Sequence, residues 1–317
     1  MTAPATDSPT TQRPKVGTEL LALRGVTKHF GAVAALTGID LTVHAGEVVA
    51  LVGDNGAGKS TLVKVLAGVH AADSGTISFE GQDVRIHSPA DAQDLGIATV
   101  YQDLALCENL NVVENLFLGQ ELRPARLDDV SMEVKAWELL RQLSAKIPTV
   151  RIPVASLSGG QRQTVAIARS LLGAPKIIIL DEPTAALGVA QTAEVLNLVE
   201  RLRENGHGVI MISHNMADVL AVADTVAVLR LGRNNGFFTV GDVSIEQIIA
   251  AITGATDNAV TQRASRRDPA TPETEAPPDA TTDSTRDATT DAGESDDTAS
   301  ARDDSSSNPT ALTSEKE

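Results

Sequence analysis

Apolar and polar positions change their rhythm as the chain proceeds. Near the start they alternate with a period of two, in "LLALRGVTKHF", "IDLTVHAGE" and "GTISFEGQDV". Such alternation predicts half-buried antiparallel strands, the last with a turn at Glu80–Gly81. Between the second and third lies "EVVALVG", an unbroken apolar run that fits a strand buried on both faces. Similar runs follow at 176–180 ("KIIIL") and 208–213 ("GVIMIS"), with "TVAVLRL" after them. Helical spacing separates these runs, so the core is expected to be a parallel sheet covered by helices. The interval from about 88 to 155 has helical segments, "NVVENLFLG" and "SMEVKAWELLRQL", and reads as a mostly helical insert. Trp137 and Leu140 share a helical face there and read as core.

Composition sharpens the outline. A 42% hydrophobic fraction supports a sizeable core, and 2% aromatics mean that Val, Ile, Leu and Ala must build it. The single cysteine, Cys107, excludes an internal disulfide framework and fits a reducing compartment. The net charge of −16 is uneven: from Ala255 onward there are about 15 acids against about 6 bases. That Thr-, Asp- and Ser-rich stretch, 255–317, has almost nothing to bury and is expected to be disordered, as are residues 1–17. The folded unit is therefore expected over 18–254. "MTAPATDSPTTQRPK" lacks the apolar centre of a secretory signal, and no run of about 18 apolar residues occurs. A soluble chain is expected. Neither the charge nor a basic patch suggests nucleic acid.

Three motifs carry chemistry. "GDNGAGKST" matches the G-x-x-x-x-G-K-[ST] phosphate loop, with a buried strand before it and a helical pattern after it. Gly53, Asp54, Asn55, Gly56, Ala57 and Gly58 would turn their backbone around an anion at the helix N-terminus. Lys59 would reach the β- and γ-phosphates of a nucleotide, Ser60 would ligate Mg2+, and Thr61 continues the helix start. "IIILDEP" puts Asp181 and Glu182 at the end of a buried strand, where open α/β sheets bind ligands. Asp181 would hold Mg2+, and Glu182 would orient and deprotonate an attacking water. His214 ends the next apolar run in the same way. The third motif is "LSGGQ" at 157–161. Ser158 and Gln161 have the spacing of a capping box, so the stretch is either a well-capped helix start or a second anion cradle. Gly159 and Gly160 cost helix stability in the first turn and favour close backbone approach to something.

With these residues in place, the sequence resembles the ATP-binding-cassette family, whose signature is LSGGQ, over essentially all of 20–254. The resemblance implies an α/β fold: a P-loop NTPase cassette with a mostly parallel core sheet, an N-terminal antiparallel β subdomain and a helical insert. It also implies two cassettes facing head to tail, each ATP held between one P-loop and the other chain's signature. Ser158, Gly159, Gly160 and Gln161 would then act on the partner's ATP. Phe30 in "KHFG" resembles the aromatic that stacks on adenine. Gln102 in "VYQD" resembles the loop glutamine that senses Mg2+ and γ-phosphate and connects to the transmembrane partner. His214 resembles the switch histidine. Gly188 departs from the pattern, since the family usually has Asp after "EPTAAL".

The wording of "GDNGAGKSTLVKVLAGVHAADSGTISFEGQDV", "VYQDLALCENLNVVENLFLG" and "DEPTAALGV" is similar to the ATPases of monosaccharide importers of the ribose, xylose and fructose branch. The expectation is an ATPase that energises a permease. Its partners would be a second cassette subunit (a homodimer first), transmembrane permease subunits and, indirectly, an extracytoplasmic sugar-binding protein. It would sit peripherally on the cytoplasmic face of the cell membrane. The alternatives are an export ATPase and a non-transport cassette protein. About 120 residues between Lys59 and Asp181, without sustained heptads, argue against the DNA-repair type.

Overall fold

The computed structural model describes residues 17–122 and 128–255 of the chain. It opens with β1 (Glu19–Phe30) and β2 (Val33–His44), an antiparallel pair turned at Gly31–Ala32. The fully buried β3 (Val48–Val52) follows and leads into α1 (Lys59–Leu66). β4 (Ser74–Phe79) and β5 (Gln82–Val84) return to the first pair and complete a four-stranded antiparallel sheet, β2-β1-β4-β5. Next come α2 (Pro89–Asp94) and β6 (Ile97–Val100), then the helices α3 (Val112–Phe117), α4 (Asp129–Gln142) and α5 (Gly159–Ser170). Strand and helix then alternate: β7 (Ile177–Asp181), α6 (Val189–Glu204), β8 (Gly208–Ile212), α7 (Met216–Val222) and β9 (Thr225–Arg230). β10 (Arg233–Thr239) and α8 (Ile245–Thr253) end the described chain, with Gly254 in the left-handed region at the helix C-cap.

The second sheet runs β10-β9-β3-β8-β7-β6, parallel except for the edge strand β10. Its strands are apolar on both faces because each face closes a separate core. Val48, Ala50 and Val52 join Ile178, Leu180, Val209 and Met211 on the face covered by the helical part. Val49 and Leu51 join Ile177, Ile179, Ile210 and Ile212 on the face covered by α1 and the antiparallel sheet. The strand period of two thus divides one run between two cores. Trp137 packs half-buried against the first core and Leu140 is buried in it.

At the N-terminal ends of these strands the backbone is tied by two carboxylates, Glu47 buried and Asp224 partly buried. Glu47 accepts the His44 N–H at 2.9 Å and the Thr225 hydroxyl at 2.9 Å, and its carboxylate lies 2.7 Å from the His44 ring nitrogen. Asp224 accepts the Val48 N–H at 2.9 Å and pairs with Arg203 at 3.2 Å.

Two expectations change. The interval from 88 opens with the short helix α2 but is then interrupted by a strand, because Ile97–Val100 is β6, an edge strand paired to β7. Four residues at a sheet edge leave too short an apolar run to announce a strand. β10 was also not anticipated. Its side chains alternate between exposed and half-buried, and "RNNGFFT" has no strong apolar rhythm. The expectations for the two tails, Gly17 and Ala255 aside, lie outside the described residues.

His207 links α6 to β7, its ring Nδ1 donating to the Pro175 carbonyl at 2.8 Å. Burial lowers its pKa below the usual 6.5, and the bond to Pro175 opposes this only in part. The unfolded chain therefore binds this proton more readily than the folded one, so stability is flat above about pH 6.5 and falls as pH drops below it. In His207→Asn the amide can keep the Pro175 bond without titrating. Melting temperatures measured from pH 7.5 to 5 should fall less steeply for the variant. Equal slopes would show that His207 does not contribute.

Candidate functional site

The strand register collects the motif residues at one edge of the sheet. Leu51 pairs with Ile212, Ile212 with Asp181, and Val100 with Leu180. The loop from Gly53, the Ser213–His214 pair, the acids Asp181 and Glu182, and Gln102 all emerge within two residues of that row. This is the C-terminal edge, where parallel sheets leave a crevice.

The loop at 53–58 needs its glycines. A Cβ on Gly53 would lie 2.3 Å from the Leu229 carbonyl oxygen, and Gly58 sits at φ 105° with Leu36 and Ala35 close by. Helix α1 begins at Lys59 with no side-chain cap and no acid in its first turn. Its first N–H groups are therefore placed to receive an anion. The Lys59 ammonium folds back on its own loop, donating to the carbonyls of Gly53 (2.6 Å) and Asp54 (3.1 Å). Above the loop is a cavity of about 470 Å3, lined by Asn55 to Thr61, by Val33 to Ala35 and by Leu231–Gly232. Phe30 lies outside that lining. It ends β1 half exposed, with the His70 ring edge-on at 5.0 Å and the Lys28 ammonium 5.6 Å from its centroid.

Glu182 adopts φ +50°, unfavourable for a residue with a side chain, and its N–H donates to the Ile212 carbonyl at 3.0 Å. Its carboxylate is 16% exposed and lies 2.8 Å from Nδ1 of His214, which is 75% exposed. Strain of this kind concentrates where chemistry needs a fixed group. Burial pushes the Asp181 carboxyl above the usual carboxylate range; the Glu182 charge adds to this, while Lys59 and Lys64 oppose it. Tyr101, beside Gln102, has its pKa raised by burial and then by the Asp181 charge. Its position in "VYQD" was the only hint in the sequence.

The "LSGGQ" segment starts α5 with a complete capping box. The Ser158 N–H donates to Gln161 Oε1 at 3.0 Å, and the Gln161 N–H donates to Ser158 Oγ at 3.2 Å. The two glycines have a partner inside the chain. A Cβ on Gly159 would be 2.8 Å from Leu187 Cδ2, and one on Gly160 would be 3.2 Å from Gln191 Cβ. Their close approach is thus at least in part to the start of α6. A groove of about 410 Å3 brings Gln102, Gly159 and Glu182 together. It shares no lining residue with the cavity above Lys59.

The fully buried Asn115, which no motif in the sequence marks, ties down the loop leaving Gln102. Its side chain accepts the Cys107 N–H at 2.7 Å and donates to the carbonyls of Cys107, Leu110 and Asn111 at 2.9, 3.1 and 3.0 Å. The helical register of "NVVENLFLG" could have pointed to it as a polar residue on an apolar face. Cys107 is half-buried.

Residues 36–185 match the family model described as ABC transporter. The chain is 44% identical over 236 residues to the xylose/arabinose import ATP-binding protein of Sulfolobus acidocaldarius, covering 74% of this chain and 94% of that one. It is 41% identical to the fructose import ATP-binding protein of Rhizobium meliloti, with the same coverage, 74% and 94%. A ribose import ATP-binding protein of Escherichia coli O157:H7 is 42% identical, but only 47% of its length is matched. Among solved structures, a nucleotide-free ATP-binding cassette from an ABC transporter aligns with a TM-score of 0.63 at 27% identity, over 78% of this chain and 99% of that one.

Gly188 caps α6 at φ −75°, ψ 163°, extended backbone that any residue can adopt, and nothing lies within 4 Å of an added Cβ. Only half of a capping box exists, the Gly188 N–H donating to Gln191 Oε1 at 3.4 Å. Gly188→Asp would supply the missing acceptor and a negative charge at the helix N-terminus. It should raise the unfolding free energy by about 0.5 kcal/mol, read from urea midpoints. A lowered midpoint would mean that the loop needs glycine after all.

Proposed function

The chain belongs to the ABC transporter family, and from that premise we propose that it is the ATP-hydrolysing subunit of a monosaccharide importer. The relatives named for xylose/arabinose and fructose import, matched along 94% of their length, support the substrate class. The observation that carries the mechanism is the separation of the two anion cradles into different cavities. A chain whose signature and P-loop line separate cavities is suited to a site completed by a second copy, in which Ser158 to Gln161 would face the partner's γ-phosphate.

Each step follows from a group already located. ATP phosphates displace the Gly53 and Asp54 carbonyls as partners of Lys59, and the bare N-terminus of α1 takes the remaining charge. Glu182, held by its strained backbone, accepts the proton of the attacking water. His214, 75% exposed, exchanges Glu182 for the γ-phosphate. Catalysis is then positioning and charge neutralisation by fixed groups.

The site suits a hard divalent cation. Asp181 is half buried beside a second carboxylate; burial first and the Glu182 charge second raise its pKa, and a positive charge there would offset both. The Ser60 hydroxyl, the Gln102 amide oxygen and the Asp181 carboxylate are the oxygen donors that would hold Mg2+, which supplies charge neutralisation of the phosphates. The permease would dock over the 920 Å3 groove where the Gln102 loop meets the helical part, its mouth carrying the half-exposed Tyr101 and Leu118. No described helix is long and apolar enough to cross a membrane, which fits a peripheral subunit at the cytoplasmic face. In this reading 18–254 is the ATPase domain, and 255–317 is an appendage not required for turnover.

Glu182→Gln should bind ATP normally while hydrolysis falls at least about 100-fold. Near wild-type turnover would remove Glu182 from the role of base. Ser158→Arg should also stop hydrolysis without weakening ATP binding by the monomer. Mixed with Lys59→Ala it should regain activity, because the mixed dimer has one site with both cradles intact. Loss of monomer ATP affinity in Ser158→Arg would mean that the signature serves its own chain's nucleotide.

A further inference from the structure

The turn between β9 and β10 breaks two rules at once. Its central residues, Leu231 and Gly232, have φ +49° and +74°. A two-residue hairpin with positive φ at both positions is a type I′ turn, which favours Asn, Asp or Gly at its first position. Leucine pays there in backbone strain, and this side chain is also 75% exposed, losing apolar burial as well. A polar Asn would suit both the backbone and the solvent.

The tip is fixed against the phosphate loop. The Gly232 N–H donates to the Ala57 carbonyl at 3.0 Å, and its own carbonyl accepts the Thr37 N–H at 2.7 Å. A Cβ on Gly232 would lie 2.7 Å from the Ala35 carbonyl oxygen, so the tip sits hard against β2. Leu231 is therefore held at the rim of the cavity above Lys59. Val33, 65% exposed and the register partner of Phe30, lines the same cavity from the other hairpin. The cavity thus has a polar end of loop N–H groups and Lys59, and an apolar rim of Val33, Ala34 and Leu231.

We infer that Leu231 is a nucleoside-binding residue, its methyl groups packing on the sugar and base of the nucleotide whose phosphates occupy the loop. The inference rests on the reading of that loop as the ATP site. A leucine has no hydrogen-bonding group, so it adds affinity without reading base edges, and adenine and guanine nucleotides gain alike.

The test is calorimetric titration of the full chain with ATP, GTP and tripolyphosphate. Mg2+ is left out, at protein concentrations where the chain is monomeric. Leu231→Asn and Leu231→Gly both suit the turn, so the nucleotide-free protein should melt no lower than the parent. ATP and GTP should each bind about three- to tenfold more weakly, with tripolyphosphate unchanged. Unchanged ATP affinity would overturn the inference. So would equal weakening of tripolyphosphate, or a fall in melting temperature in both variants, since either assigns Leu231 to the shape of the loop or the turn. Lys59→Ala separates the underlying reading: if it leaves tripolyphosphate binding intact, the loop is not the phosphate site.

Discussion

One row of backbone pairing governs the whole molecule: Leu51 opposite Ile212, and Ile212 opposite Asp181. Because the register of a strand buried on both faces cannot slip by one residue without exchanging its two cores, this row is held by Ile177 to Leu180, Val209 to Met211 and the rest of both clusters. The phosphate loop, the acids and His214 are all short extensions of it. Misplacing any of them would require a shift of the entire sheet. That is why the site can be made of loops and still be rigid: the Glu182 N–H is itself the next bond after the row, to Ile212.

Against this frame the electrostatics are deliberately unfavourable. Two adjacent carboxylates sit at the strand end, Asp181 raised by burial and by its neighbour, and Tyr101 feels the same charge. Lys59 opposes the Asp181 shift while its ammonium is spent on two backbone carbonyls of its own loop. Each of these tensions is relieved by the same event, the arrival of a polyanion with a cation. A cation between the two carboxylates would offset their repulsion, while the strained backbone of Glu182 keeps its carboxylate in place.

Much of this was legible in the chain. The parallel strands showed as continuous apolar runs because both faces are buried, and the phosphate loop showed because its backbone tolerates only glycine at Gly53. What the sequence hid was set by contacts between distant segments. β6 and β10 are edge strands, recruited by β7 and β9 and not by their own periodicity. Asn115 looks like an ordinary polar helix residue until the loop at 107–111 closes over it. Leu231 reads as the end of an apolar run, and only its positive φ and its place at the cavity rim distinguish it. Phe30 sits beyond the cavity lining, so a role as base platform depends on what approaches from the β1–β2 tip.

The glycine pair at 159–160 carries the argument furthest. Its missing side chains let α5 settle on Leu187 and Gln191, while Ser158 keeps its own N–H and hydroxyl engaged within the capping box. Leu187 lies five residues after Glu182 in the same loop, which Thr184 anchors through a 2.7 Å bond to Asp218. On the composite-site reading, an ATP pressing on the start of α5 therefore acts directly on the loop that carries this chain's own base. A Cβ at either position would push against Leu187 or Gln191 and loosen that contact. The two glycines that would open the signature to a partner's phosphate also pack it against the loop that follows Glu182, so both sites of a dimer would respond to either nucleotide.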